Sequence, residues 1–310
     1  MNATPSSHPH EASNHPHAAG GRALVLGGGG STGNAWLIGV LAGLFEAGLD
    51  VTDADVMVGT SAGSTAAAQV AGATPAELLA AILDAAPPHL AGPVGSGRGR
   101  GPSSTAEHLE RTSKIIASAV DAEDMRRRMG AAALDLDAAS DSSRQAQWRA
   151  TVAARLPIQL WPQRTVLITA VDAHSGAPVV FDRYSRVDLV DAVAASCSSG
   201  PAYRIGENRY IDGGYRRNEN ADLAAGSGRV LVLSPFGGRT RHPLEWGLHL
   251  AAQVDELRAS GSSVETIFPD GSSEPLFGAN AMDPSLRPAA AQAGYGQGRA
   301  LAGRLTDFWR

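Results

Sequence analysis

Residues 55–70 read DVMVGTSAGSTAAAQV, and the order in which apolar residues give way to glycine there decides the fold class. Val56, Met57 and Val58 form an unbroken apolar run, the pattern of a strand covered on both faces. The run ends in Gly59-Thr60-Ser61-Ala62-Gly63, and the alanine-rich Ser64–Val70 that follows suits a helix. Residues 22–33, RALVLGGGGSTG, repeat the arrangement: Ala23–Leu26 is strand-like and runs into Gly27–Gly30. Beyond it Leu37, Ile38, Leu41, Leu44 and Phe45 recur three and four apart, giving one apolar helix face that stops at Gly48.

Working outward, the pattern predicts further strands at 165–171, 179–181, 209–211 and 230–233, with 179–181 as the hairpin partner of 165–171. Thr74-Pro75 with Glu77 reads as a helix start, threonine as cap and proline at the first turn. Helices are also expected irregularly over 105–154, at 189–195 and at 244–258. Apolar strands alternating with helices predict an α/β fold with a mostly parallel sheet, and ligands in such sheets bind at the carboxyl ends of the strands. The turns at 27–33, 59–63 and 212–214 each follow a strand, so the three can meet at one sheet edge.

At 310 residues the chain suits one large domain, expected over 21–310. Residues 1–20 are rich in His, Pro, Ser and Asn, hold four of the nine histidines, and read as a disordered tail rather than a metal site. That segment lacks a basic stretch and an apolar run, and no transmembrane segment is apparent elsewhere, so a cytoplasmic chain is expected. With 26 basic against 31 acidic residues the net charge is −5, which argues against nucleic acid as a partner. The single cysteine, Cys197, excludes an internal disulfide and a cysteine-built zinc site. Residues 87–104, PPHLAGPVGSGRGRGPSS, read as a flexible loop or a lid.

Three turns carry the chemistry. Gly59-Thr60-Ser61-Ala62-Gly63 fits G-x-S-x-G, in which a tight strand-to-helix turn lifts a serine hydroxyl clear and two glycines avoid side-chain clashes. Gly28-Gly29-Gly30-Ser31-Thr32-Gly33 places successive amides before a helix, a cradle for the oxyanion of an attacked carbonyl. It also matches G-x-G-x-x-G, but the second strand ends in Gly59-Thr60-Ser61 rather than in the acid that grips a ribose, which argues against a dinucleotide. Asp212-Gly213-Gly214 presents a carboxylate at a strand end.

Together these elements resemble the patatin-like phospholipase family: a glycine-rich loop, a G-x-S-x-G serine, and a downstream D-G-G aspartate. Residues 194–201, AASCSSGP, are similar to the segment that precedes the aspartate in that family. One departure is Thr32, where the family usually carries Arg or Lys. The resemblance implies a three-layer α/β/α sandwich and a Ser-Asp dyad. Ser61 is then the nucleophile and Asp212 the base, with Gly28, Gly29, Gly30 and Ser31 forming the oxyanion hole. It implies hydrolysis of lipid esters, phospholipid or lysophospholipid, through an acyl-enzyme, with no metal or cofactor and with transient membrane-surface contact open.

Two other arrangements fit the residues. A Ser-His-Asp triad could take Asp172 or Asp212 with His242 or His249, and a non-catalytic relative could bind acyl chains. Arg126–Arg128 read as a solvated charged face, Trp148 and Trp161 as packing residues, and Cys197 as a small buried residue near the site.

Overall fold

Arg22–Leu26 (β1) alternates its side chains between two apolar layers, and that alternation organises the whole molecule. In the computed structural model, which describes residues 20–85, 102–139 and 142–310, Leu24 and Leu26 join one buried cluster while Ala23 and Val25 join another. The chain continues through Gly30–Glu46 (α1), Val56–Gly59 (β2), Ala62–Val70 (α2) and Pro75–Leu83 (α3). Pro102–Ser118 (α4), Ala122–Ala138 (α5) and Ser142–Ala153 (α6) precede the long strand Thr165–Asp172 (β3) and its hairpin partner Pro178–Phe181 (β4). Leu189–Ser196 (α7), Tyr203–Ile205 (β5), Asn208–Asp212 (β6), Arg229–Leu233 (β7), Leu250–Ala259 (α8), Ser263–Ile267 (β8) and Arg287–Trp309 (α9) complete it. The expected tail lies outside the described residues except for its last position, Gly20, as does the expected loop or lid except for its last three positions, which open α4.

The sheet runs β5-β6-β3-β2-β1-β7-β8, with β4 also on β3. The five strands from β3 to β8 are parallel; β4, β5 and β6 pair antiparallel. One face carries α1, α2, α7 and α9 over Leu24, Met57, Ile168 and Leu231. The other carries α8 over Val25, Val58 and Val232, and α4 and α5 over Val171 and Ile211. The fold is thus the three-layer α/β/α sandwich with a mostly parallel sheet. The Thr74–Glu77 capping box forms as its spacing predicts, the Glu77 amide donating to the Thr74 hydroxyl and the Thr74 amide to the Glu77 carboxylate. The expected single helix over 244–258 is instead a short 3-10 turn and then α8, because Gly247 takes a left-handed conformation between them.

Helix α9 seals the upper layer by close approach to α1. A methyl group on Gly39 or Gly43 would run into the carbonyls of Ala291 and Tyr295, and one on Gly294 or Gly298 into those of Trp36 and Val40. Gly294→Ala is expected to destabilise the protein by about 1–3 kcal/mol through this overpacking. Gly296→Ala, on the open side of the same helix, is expected to stabilise it by about 0.5–1 kcal/mol through helix propensity. Thermal or urea unfolding of the two variants checks the opposite signs.

Candidate active site

The 59–63 turn is built under strain. Ser61 has φ 52° and ψ −114°, a conformation a non-glycine residue holds at a cost of roughly 1–3 kcal/mol. Close packing enforces it. A side chain on Gly63 would overlap the Leu26 carbonyl, and one on Gly59 would come within 2.7 Å of the Ser64 Cα. The chain can leave β2 and enter α2 only by this sharp turn, which leaves the Ser61 side chain part-exposed at the start of a helix.

The register of β3 explains how a residue 151 positions later reaches that serine. Ile168 pairs with Gly59 on one edge and Phe181 on the other, while Ala170 pairs with Asp212 and Val179. β4 therefore fills one edge of β3, and β2 then β6 share the other end to end. Asp212 comes to lie two residues beyond the end of β2, where the Ser61 turn emerges. The Ser61 hydroxyl donates to Asp212 Oδ2 at 2.8 Å, and the Gly214 amide donates to Oδ1 at 2.8 Å.

Residues 196–198 touch both partners. Ser196 Oγ accepts the Ser61 amide at 2.9 Å, the Cys197 thiol donates to the Ser61 carbonyl at 3.1 Å, and the Ser198 carbonyl accepts the Asp212 amide at 3.0 Å. Asn220, fully buried and left-handed at φ 54°, ties the two turns together from beneath. Its amide nitrogen reaches Thr60 Oγ1 at 3.0 Å and the Gly213 carbonyl at 3.3 Å. An asparagine able to adopt that backbone, eight residues after Asp212, is the signal that sequence reading passed over.

Asp212 is only 7% exposed, and burial pushes its carboxyl up to about 6, although the Gly214 amide and the Ser61 hydroxyl pull the other way. The carboxylate is thus a stronger base than an ordinary aspartate. The Cys197 thiol is pushed up to about 11, first by burial and then by Asp212, and stays protonated.

The glycine loop faces this pair. A methyl group on Gly28 would lie 3.6 Å from the Ser61 Cβ. The Gly27 and Gly28 amides donate to the Leu233 and Asn218 carbonyls, and the Thr32 and Gly33 amides to those of Ala281 and Gly29, each at 3.0 Å. Among the described residues, the amides of Gly29, Gly30 and Ser31 have no acceptor. Gly28 therefore shapes the loop rather than offering a donor. Behind it the buried Glu219 carboxylate accepts from Asn218 at 2.9 Å and Ser234 at 2.7 Å, and Asn218 also donates to the Gly28 carbonyl at 3.3 Å. No acidic residue sits in the first turn of α1 itself, so the helix brings no carboxylate of its own to its positive end.

The alternative triad residues lie elsewhere. Asp172 is used by its own hairpin, accepting from the His174 and Ser175 amides. His242 pairs with Thr240, stacks on Trp246, and lines a cavity of about 600 Å³ that includes neither Ser61 nor Asp212. Burial, with Arg241 and Arg126 adding to it, pushes the His242 imidazole down to about 4. His249 precedes α8, and its buried Nδ1 has no partner among the described residues. Trp148 and Trp161 spend their ring N–H groups on the Ala194 and Val187 carbonyls, while Arg127 and Arg128 pair with Glu123 and Asp124 on an exposed face. Among the described residues, no helix is long and apolar enough to cross a membrane.

A family model described as patatin-like phospholipase matches residues 24–225. No curated protein matches the chain. Among solved structures, VipD from Legionella pneumophila aligns over 92% of this chain and 67% of its own, with 14% identity and a TM-score of 0.41. The type III effector ExoU aligns over 92% of this chain and 53% of its own, with 16% identity and a TM-score of 0.38. Full-length ExoU from Pseudomonas aeruginosa, solved in complex with SpcU, aligns at 17% identity over 90% and 53%, with a TM-score of 0.34. This chain spans about half the length of ExoU. The family match runs from within β1, through the Ser61 and Asp212 turns, to residue 225, more than half of the chain, and the protein belongs to the patatin-like phospholipase family.

Proposed function

We propose that the protein hydrolyses lipid esters, phospholipid or lysophospholipid, with Ser61 as nucleophile and Asp212 as the sole general base. The observation that carries this reading is the 2.8 Å contact from the Ser61 hydroxyl to Asp212 beside three unused amides. As Ser61 Oγ bonds to the ester carbonyl carbon, Asp212 Oδ2 takes its proton and the carbonyl oxygen becomes an oxyanion. The amides of Gly29, Gly30 and Ser31 are its natural donors, reinforced by the positive end of α1. On collapse the bond to the alcohol breaks, and Asp212 returns the proton to the leaving oxygen. Water, deprotonated by the same carboxylate, then attacks acyl-Ser61, and the fatty acid leaves with the Ser61 hydroxyl restored.

An ester panel from short p-nitrophenyl acyls to phosphatidylcholine, combined with fluorophosphonate labelling mapped by peptide mass, tests this. Turnover together with label on Ser61 supports it. A chain that neither labels nor turns over any ester is an acyl-binding relative instead.

The base must be ionised to act. Because burial raises Asp212 to about 6, hydrolysis of a soluble ester is expected to fall on acidification with a midpoint near that value. A pH–rate profile levelling off already at pH 5 contradicts the assignment of this buried carboxylate as the base.

A further inference from the structure

We propose that Arg287, the first residue of α9, is the positioning cation of the glycine loop, supplying from beyond the family match the positive charge that Thr32 lacks. The inference rests on the reading of that loop as the oxyanion site. Its guanidinium grips two residues at once. Nη1 donates to the Ser31 carbonyl at 2.8 Å, with Ser31 Oγ at 3.5 Å, and Nη2 donates to Asn34 Oδ1 at 3.1 Å.

These contacts fix both halves of the site. The Thr32 amide donates to the Ala281 carbonyl at 3.0 Å. Both polar groups of the Ser31–Thr32 peptide are therefore gripped from the 281–287 segment, directly behind the amides of Gly29, Gly30 and Ser31. Through Asn34 the second arm reaches α2, since Asn34 Nδ2 donates to Gln69 Oε1 at 3.0 Å and approaches the Ala62 carbonyl at 3.4 Å. Ala62 is the residue after Ser61. One planar fork thus spans loop and nucleophile turn, a geometry that suits arginine rather than a point-charge lysine.

The electrostatics explain why the arrangement needs a function. Arg287 has no carboxylate in ion-pair range among the described residues and sits at the positive end of α1, where a cation is disfavoured. Burial lowers its affinity for the proton to a value of about 10, with Arg155 adding to the effect, so it remains charged at neutral pH. A cation held against a helix dipole without a counter-ion is stabilised when negative charge develops beside it, as on an oxyanion. Thr32 itself is buried, its hydroxyl has no partner among the described residues, and it offers the loop no charge.

The test uses the full chain with Arg287→Met and Arg287→Lys, each in wild-type and Ser61→Ala backgrounds. With p-nitrophenyl butyrate, Arg287→Met is expected to lower kcat by about 10²-fold, with KM within about threefold. Arg287→Lys is expected to recover part of that loss. Amide hydrogen exchange over 27–37 in the Ser61→Ala background reads the loop without turnover, and is expected to quicken about tenfold in Arg287→Met while β7 and β8 keep their protection. Unchanged exchange over 27–37 overturns the proposal, as does a kcat loss that merely follows the folded fraction. Quickened exchange in a chain whose wild type turns over no ester supports the positioning role and rejects the hydrolase reading.

Discussion

Asp212→Asn is expected to lower ester turnover by at least ~10³-fold, with Ser61→Ala falling as far and the double variant no further, because the proposed nucleophile and base would act as one unit. The asparagine keeps the size and the Gly214 contact, but its amide cannot take the Ser61 proton. His242→Ala, by contrast, is expected to stay within about twofold of wild type, since that ring has no contact with either residue. Stability separates loss of chemistry from loss of fold. The Asp212 carboxyl titrates higher in the folded chain than in the unfolded one, so its protonated form stabilises the fold at low pH. That contribution fades as pH rises through about 6. At pH 7 the buried charge works against folding by on the order of 2–3 kcal/mol. Asp212→Asn is therefore expected to melt at or above the wild-type temperature at pH 7, with its advantage shrinking toward pH 4. Calorimetry at the two pH values, beside turnover, checks both. An inactive variant that also melts lower at pH 7 would place Asp212 in the fold rather than in the chemistry.

The strand–turn–helix units around 22–33 and 55–70 were legible because their signals are local: apolar runs, glycines at a turn, a helix period behind. The direction of β6 was not. Tyr210 and Ile211 read as a strand, but only pairing with Ala170 and Val171 sets them antiparallel and brings Asp212 end-on to β2. Helix α9 escaped for a different reason. It meets α1 through Gly294 and Gly298, so it lacks the leucine stripe that periodicity detects. β5 and β8 are short edge strands with no distinctive run. In the site, Ser61, Asp212 and the glycines stand in recognisable patterns. Asn220 and Arg287 do not, because each acts by hydrogen bonds to backbone carbonyls or amide side chains that only the folded chain assembles.

Gly30 offers the sharpest test of the amide cradle, since its contribution is pure backbone. It has φ 66°, a left-handed conformation that favours glycine, and a methyl group there would approach the Ala281 carbonyl oxygen to 2.6 Å and the Met282 sulfur to 3.1 Å. The same Ala281 carbonyl holds the Thr32 amide. Gly30→Ala must therefore rotate its own peptide toward negative φ or push the 281–282 segment away, and either movement turns the amides of Gly30 and Ser31 from their present directions. Loss of a single oxyanion donor lowers rate by about 10²–10³-fold, and the substitution is expected to fall in that range for kcat. The apolar side chains that pack the two layers come from other segments, so the variant is expected to remain folded, with near-native circular dichroism. Gly48→Ala also forces a left-handed glycine toward a less favourable backbone, at φ 88° and with open space around it, and gives the matched control for strain without cradle displacement. If Gly30→Ala turns over ester as fast as Gly48→Ala does, the oxyanion is stabilised by some group other than this loop, and the amides left unpaired there serve no catalytic purpose.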